Sequence, residues 1–314
     1  MSTTRNVVAF GEALWDLYPS GPVLGGAPLN FAYRCATLGE SSAMVSRIGS
    51  DELGRRALAE MQGLGLGTSY LQRDGRRPTG SVVVRVDARG NPDFTIVPEA
   101  AYDYIELEAG LVDLVAGCDC LCFGTLAQRG AVSRSTLREL LRAFRGRYLV
   151  LDINLRRDCW TPEVVRSSIA GAHVLKMNDA EAPEVGRACA LRSSGVVEIA
   201  RELVGSGGLE LCVVTLGENG CFAASGAGEA VYEPAYEVRL VDTCGSGDAF
   251  TAAFLHALLE GRSLREACRA GNALGGMVSE QSGATGRIGA EELRAFASSR
   301  PLRRADGRFL RFSA

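Results

Sequence analysis

Solid apolar runs and helical stripes alternate along most of this chain. Residues 7–10 form an apolar run that stops at Gly11, the pattern of a strand buried on both faces. Leu29, Ala32, Tyr33 and Ala36 then share one helical face, with Pro28 in the first turn and Gly39 past the last. Residues 43–48 read as a strand. Asp51 is an N-cap for a helix reaching about Met61, with Leu53, Ala57, Leu58 and Met61 on one side. From about Leu107 the rhythm is regular: a helix before strand 118–123, helix 132–144 before strand 148–153, a helix after Trp160 before strand 172–176, and helix 196–204 before strand 210–215. Tyr236, Val238 and Leu240 alternate as a strand, and Phe250, Phe254 and Leu258 follow four apart as a helix. This order predicts an α/β fold, a mainly parallel central sheet with helices on both faces.

One stretch breaks the rhythm. Val82, Val84 and Val86 alternate with polar residues, 88–92 has turn composition, and Phe94 and Ile96 alternate again. A hairpin with one greasy face is expected. With part of 14–23 it forms a small β lid, drawn from about 14–23 and 79–98, on a single domain spanning 1–314. Such a lid would cover a bound ligand and exclude water, or pair with its copy in a homodimer.

In a parallel sheet ligands bind beyond the carboxyl ends of the strands. Four such ends carry polar residues: Asp152, Asn154 and Arg156; Asn178 and Glu181; Thr215 and Gly217; and 242–248. In the last, Gly245 and Gly247 allow close backbone approach, the next helix offers free N–H groups to an anion, and Asp248 sits at its start. The helix terminus favours an ionised Asp248. An anion hole beside a carboxylate suits phosphoryl transfer to a hydroxyl, although Asp248 as a plain cap is the other reading of these residues alone. Gly25 and Gly26 precede a helix carrying Asn30, which either reaches a small ligand or is an exposed helix residue. Arg156 either meets a phosphate or substrate, or pairs with Asp152 or Asp158.

Composition narrows the choices. The chain has 314 residues, 46% of them hydrophobic, enough for one large core. A net charge of −3 gives no general pull toward nucleic acid or an anionic membrane, and no apolar run approaches a membrane span. The single lysine, Lys176, is not part of a Walker phosphate loop. Only His173 and His256 exist, which argues against histidine chemistry. Ten cysteines lack metal spacing and follow no secretion signal, so a reduced, cytoplasmic protein is expected. Cys118, Cys120 and Cys122 read as small buried residues sharing one face of a strand.

The block 242–248, Asp-Thr-Cys-Gly-Ser-Gly-Asp, resembles the C-terminal signature of the ribokinase (PfkB) family of sugar kinases, with Ser246 where alanine is usual. Residues 25–39 with 47–54 resemble its N-terminal signature, Asn178-Asp179-Ala180-Glu181 its magnesium motif, and 214–217 its nucleotide-binding strand end. Residues 25–30, 123–129 and 152–156 with Trp160 look most like bacterial and plant fructokinases. The resemblance implies a ribokinase-like fold and an ATP-dependent kinase acting on a sugar, most like fructokinase, with Mg²⁺ and a monovalent cation such as K⁺. By this resemblance Asp248 is the base, and the amides of Gly245, Ser246, Gly247 and Asp248 hold the γ-phosphate. Asp16, Gly25, Gly26 and Asn30 bind the sugar, and Arg156 meets substrate or phosphate. Asn178, Thr215, Gly217 and Asn272 line the ATP site, Glu181 acts on Mg²⁺ through water, and Asp242 helps hold the monovalent cation. Ribose-type sugars, 2-keto-3-deoxygluconate and nucleosides are the alternative acceptors. A dinucleotide-binding oxidoreductase fails on Phe250, which stands where its third glycine belongs. A non-catalytic relative would be expected to lack Asp248 or Glu181.

Overall fold

A computed structural model describes residues 4–86, 92–205, 208–299 and 303–313. In chain order the strands are β1 (Asn6–Phe10), β2 (Leu14–Tyr18), β3 (Gly21–Gly25), β4 (Ser41–Gly49), β5 (Leu71–Asp74), β6 (Gly80–Val86), β7 (Pro92–Ile96), β8 (Cys120–Phe123), β9 (Tyr148–Asp152), β10 (Val174–Asn178), β11 (Leu211–Thr215), β12 (Cys221–Ser225) and β13 (Ala230–Glu233). The helices are α1 (Ala27–Thr37), α2 (Glu52–Gly63), α3 (Leu111–Ala116), α4 (Ala131–Ala143), α5 (Pro162–Ala170), α6 (Ala182–Ala188), α7 (Val196–Gly205), α8 (Ser246–Leu259), α9 (Leu264–Ser279) and α10 (Ala290–Ser298).

Among the described residues the main sheet has nine strands in the order β13-β12-β11-β10-β9-β8-β1-β4-β5. β11 to β5 pair in parallel, and β12 and β13 close one edge antiparallel. Parallel strands need helical crossovers, which bury both faces of the sheet. The register shows it. Val8, Phe10, Leu121, Leu149, Leu151 and Leu175 face a core closed by α3 to α7. Val7, Ala9, Cys120, Cys122, Val150 and Val174 face a second core under α1, α2, α8 and α9. The side chains therefore meet water only at the strand ends, and polar chemistry collects there.

A separate four-stranded sheet, β3-β2-β6-β7, stands apart from the main one. It contains both predicted lid segments, with β3 reaching Gly25, two residues beyond the expected limit. Pairing Asp16 with Val23 and Val82, and Val82 with Ile96, puts these four side chains on one face. Asp16 thus interrupts an otherwise apolar row. The predicted turn at 88–92 falls outside the described residues except for Pro92.

Three expectations need correction. No strand spans 236–240; only Ala235–Tyr236 pairs, with Arg303–Arg304. The N–H groups of Val241 and Asp242 donate instead to Ser279 O at the end of α9, and Leu240 is left 65% exposed. Cys118 lies before β8 and faces the first core, whereas Cys120 and Cys122 face the second. Asp51 is more than a cap. Its carboxylate accepts the Gly54 N–H, the Thr79 N–H and the Thr79 hydroxyl at 2.8, 2.8 and 2.6 Å, tying α2 to the base of the small sheet. Burial opposes the charge, yet these donors hold the Asp51 carboxyl below its usual range. Asp51→Ala should lower stability by about 2 kcal/mol, beyond a simple cap loss, as read from urea unfolding. The Thr79→Val variant should show part of the same loss.

Candidate functional site

The start of α8 is shaped by a turn only glycine can make. Gly245 has φ 73°, and a Cβ there would run into the Cβ of Ala284. Ala284 is held in place because the buried Arg34 guanidinium donates to the Ala284 and Gly286 carbonyls. The Ser246 N–H closes the turn on Thr243 O at 3.2 Å, and the Cys244 N–H is taken by Asp242. The Gly245, Gly247 and Asp248 amides are the donors this turn leaves to cradle an anion, and the Ser246 amide, expected with them from the sequence, already has Thr243 O as a partner. The Ser246 hydroxyl is buried without a partner.

Asp248 lies in the first turn of α8 and is only 8% exposed. Its Oδ2 accepts a hydrogen bond of 2.8 Å from Asn30 Nδ2, on α1. Asn30 is thus no exposed helix residue; it is buried, and its Oδ1 has no protein partner. The electrostatics run against the helix-terminus expectation. Burial, then the nearby Asp152 carboxylate, push Asp248 up to about 6, while Asn30, Lys176 and Arg156 hold it down. The acid is still mostly ionised at neutral pH, but it titrates close to it.

Around this pair the structure gathers Asp16, Gly25, Gly26 and Arg156. A Cβ on Gly25 would sit 3.1 Å from Asp16 Oδ2. Gly26, at φ 115°, lies so close to Glu12 O that a Cβ would be 2.5 Å from it. Asp16 is half-buried, and burial raises its carboxyl against the pull of Arg156. Arg156 is exposed and makes no ion pair among the described residues, so the pairing with Asp152 or Asp158 does not occur. Its charge acts on Glu12, Asp16 and Asp248 alike.

A cleft of about 550 Å³ runs from Asn154 and Arg156 to Asn178 and Glu181. Asn178 and Glu181 brace one another. Asn178 Oδ1 accepts the Glu181 N–H and Glu181 Oε2 accepts the Asn178 N–H, each at 2.8 Å, while Glu181 Oε1 accepts the Leu155 N–H. No group of three metal-ligating side chains exists among the described residues. A magnesium ion carried on phosphates and waters needs none, and the remaining lone pairs of Glu181 suit contact through water. Thr215 is the register partner of Asn178, and Gly217 opens the next turn at φ 56°. Asn272 is set apart. Its amide donates to the Glu233 and Pro234 carbonyls, so its donors are committed to the fold. Asp242 likewise accepts the Cys244 and Gly283 N–H groups and ties two loops together. Cys244 between them is pushed up to about 12 by burial and by Asp16, Asp242 and Asp248.

The sequence reading misses Lys176, Thr251 and Glu12. Asp152 accepts from Lys176 Nζ and Asn154 Nδ2 on one oxygen, both at 3.0 Å, and from the Thr251 hydroxyl on the other, at 2.6 Å. The signals were there: a lone lysine in the strand before Asn178, and a carboxylate directly after β1. Burial raises Glu12 to about 7, opposed by its own N–H and by Arg156 and reinforced by Asp248. Glu12 and Asp152 border one small cavity with Thr125 and Asn154. Unfolded Glu12 loses its proton near 4.5, whereas the folded group keeps it to about 7, so the fold loses stability as pH rises through that window. Glu12→Gln removes this loss. The variant should gain on wild type by up to about 3 kcal/mol between about pH 5 and pH 8, measured by urea unfolding at both.

Comparison with known proteins agrees with this geometry. Residues 22–289 match the pfkB family carbohydrate kinase profile. A fructokinase of Klebsiella pneumoniae is 32% identical over 263 residues, covering 79% of this chain and 82% of that one. An aminoimidazole riboside kinase of Salmonella typhimurium is 28% identical over 326 residues, covering 97% and 99%. The crystal structure of an uncharacterized sugar kinase from Pyrococcus horikoshii, also solved in complex with ATP, superposes with a TM-score of 0.80 at 25% identity, covering 93% and 98%. With the profile spanning most of its length and the acid, the cradle and the braced Asn178–Glu181 pair together at the strand ends, this chain belongs to the pfkB family of carbohydrate kinases.

Proposed function

We propose that this carbohydrate kinase is an ATP-dependent fructokinase that forms fructose 6-phosphate. The observation that carries the reading is the Asn30–Asp248 hydrogen bond, which joins the acid to the pocket of Asp16, Gly25 and Gly26. In this reading Asp248 takes the proton of the attacking sugar hydroxyl as that oxygen bonds to the γ-phosphorus, the bond from the γ-phosphorus to the β,γ-bridging oxygen breaks, and ADP leaves. The Gly245, Gly247 and Asp248 amides hold the charge of the moving phosphoryl group. Asn30 aims Asp248, and its Oδ1, buried without a protein partner, leaves an acceptor for a sugar hydroxyl. Asp16 holds other hydroxyls of the sugar, and Arg156 meets the substrate or its new phosphate. ATP would lie along the cleft toward Thr215 and Gly217, and the structure of the Pyrococcus relative in complex with ATP supports ATP as the phosphoryl donor. Glu181 would hold Mg²⁺ through water with Asn178 beside the phosphates, and Asp242 would help hold a monovalent cation. Magnesium supplies charge neutralisation on the phosphates. The likeness to an aminoimidazole riboside kinase supports a second reading, a riboside acceptor in the same pocket.

Asp248→Asn should lower kcat by about a thousandfold or more while melting temperature and ATP binding stay near wild type. Wild-type kcat should fall as pH drops through about 6, where Asp248 gains its proton. Fructose should lead a panel of fructose, ribose, 2-keto-3-deoxygluconate and nucleosides in kcat/KM. A riboside in first place would overturn the fructose reading and leave the kinase reading intact.

The small sheet supports a homodimer. Phe94 and Val23, on the face that carries Asp16, are 53% and 41% exposed. An open apolar sheet of this kind is stabilised by a second copy. The protein should sediment at twice its 33.3 kDa chain mass at micromolar concentration, and Phe94→Asp should shift it toward the single-chain value.

A further inference from the structure

Lys176 is the one lysine among 34 basic residues, and it is 4% exposed. It lies on β10, two residues before Asn178, with its ammonium under the start of α8. A Cβ on Gly247 would be 3.0 Å from Nζ, so the lysine is packed against the cradle itself. One N–H is given to Asp152 Oδ1 at 3.0 Å. The other Asp152 oxygen is fastened by Thr251, one turn along α8 from Asp248. The ammonium is thereby fixed relative to the acid, and among the described residues its two remaining N–H donors have no hydrogen-bond partner.

The charge count around it is uneven. Asp152 on β9, Glu181 before α6 and Asp248 on α8 all act on Lys176, and Cys122 on β8 is the other titratable group facing it. Three carboxyls thus share one buried cation. Asp248 is also faced by Arg156 beyond β9, Glu12 beyond β1, Arg34 on α1 and Cys244 in the cradle loop. A pair with Asp152 alone would be an ordinary buried ion pair. The excess negative charge means that removing the ammonium leaves carboxylates that can only relieve each other by taking up protons. Arginine would need more room than the Gly247 contact leaves, and its flat fork cannot act as a compact point charge.

We infer that Lys176 is a positioning residue for phosphoryl transfer: fixed by Asp152, its ammonium lies against the phosphate-holding cradle at Gly247 and faces the Asp248 carboxylate across it. This inference rests on the kinase reading, but part of its test does not. Because there is one lysine, protein labelled with ¹⁵N-lysine has one side-chain ammonium resonance. That resonance should titrate with a midpoint near 6, the response should vanish in Asp248→Asn, and magnesium tripolyphosphate should shift it. In Lys176→Met the pH at which kcat is half-maximal should move up by about one unit or more, with KM for ATP changing less than kcat. A resonance unmoved between about pH 5 and pH 8, or one titrating equally in Asp248→Asn, overturns the inference even if Lys176→Met does not fold. A folded Lys176→Met with lower stability and an unmoved pH profile also overturns it, leaving only the ion pair with Asp152. Failure of the kinase reading would look different: no acceptor turned over by the wild type.

Discussion

An acid buried where water cannot solvate it must be held by something else, and most of the site serves that need. Asp248 is pinned by Asn30 from α1 and faced by Lys176 from β10 and Arg156 from the loop after β9. These supports come from three separate chain segments. They converge because the sheet is covered on both faces and leaves only its strand ends for polar groups. Helix α8 must therefore begin at the sheet edge, which the left-handed Gly245 and the Arg34-held loop at Ala284 make feasible. A raised but still ionised carboxylate is the physical outcome.

The small sheet depends on the same edge. β3 ends at Gly25, directly before α1, so the sheet and the Asn30 helix share a junction. Asp51 joins the other root, at Thr79, to α2. The face bearing Asp16 is thus fastened at both ends to the elements that carry the site. Movement of this sheet would be felt at Gly25 and Gly26 first.

Much of this was readable from residues alone, and the reasons are local. Buried parallel strands leave solid apolar runs, so β1, β8, β9 and β11 stood out within a residue or two. Glycine pairs and caps mark turns because few other residues tolerate them, which exposed 25–26, 245–247 and Asp51. Segment 236–240 misled because alternation records which side chains are buried, not whether a neighbouring strand exists. Tyr236 and Val238 do pack into a small core with α9 and α10, yet the backbone bonds to Ser279. Lys176 and Glu12 were missed because burial of a charge is decided by distant partners, here Asp152 and the backbone around Ala27. The turn bond from the Ser246 amide to Thr243 could not be read in advance, because it is a matter of backbone geometry that composition does not reveal.

Cys244 sits in the turn that leads into α8, between Asp242 and Gly245. The surrounding carboxylates that make the site acidic also discourage the thiolate, the only form of the side chain that reacts readily. Burial first, and this negative field after it, thus act alike on Asp248 and on the neighbouring Cys244, and both favour the protonated form.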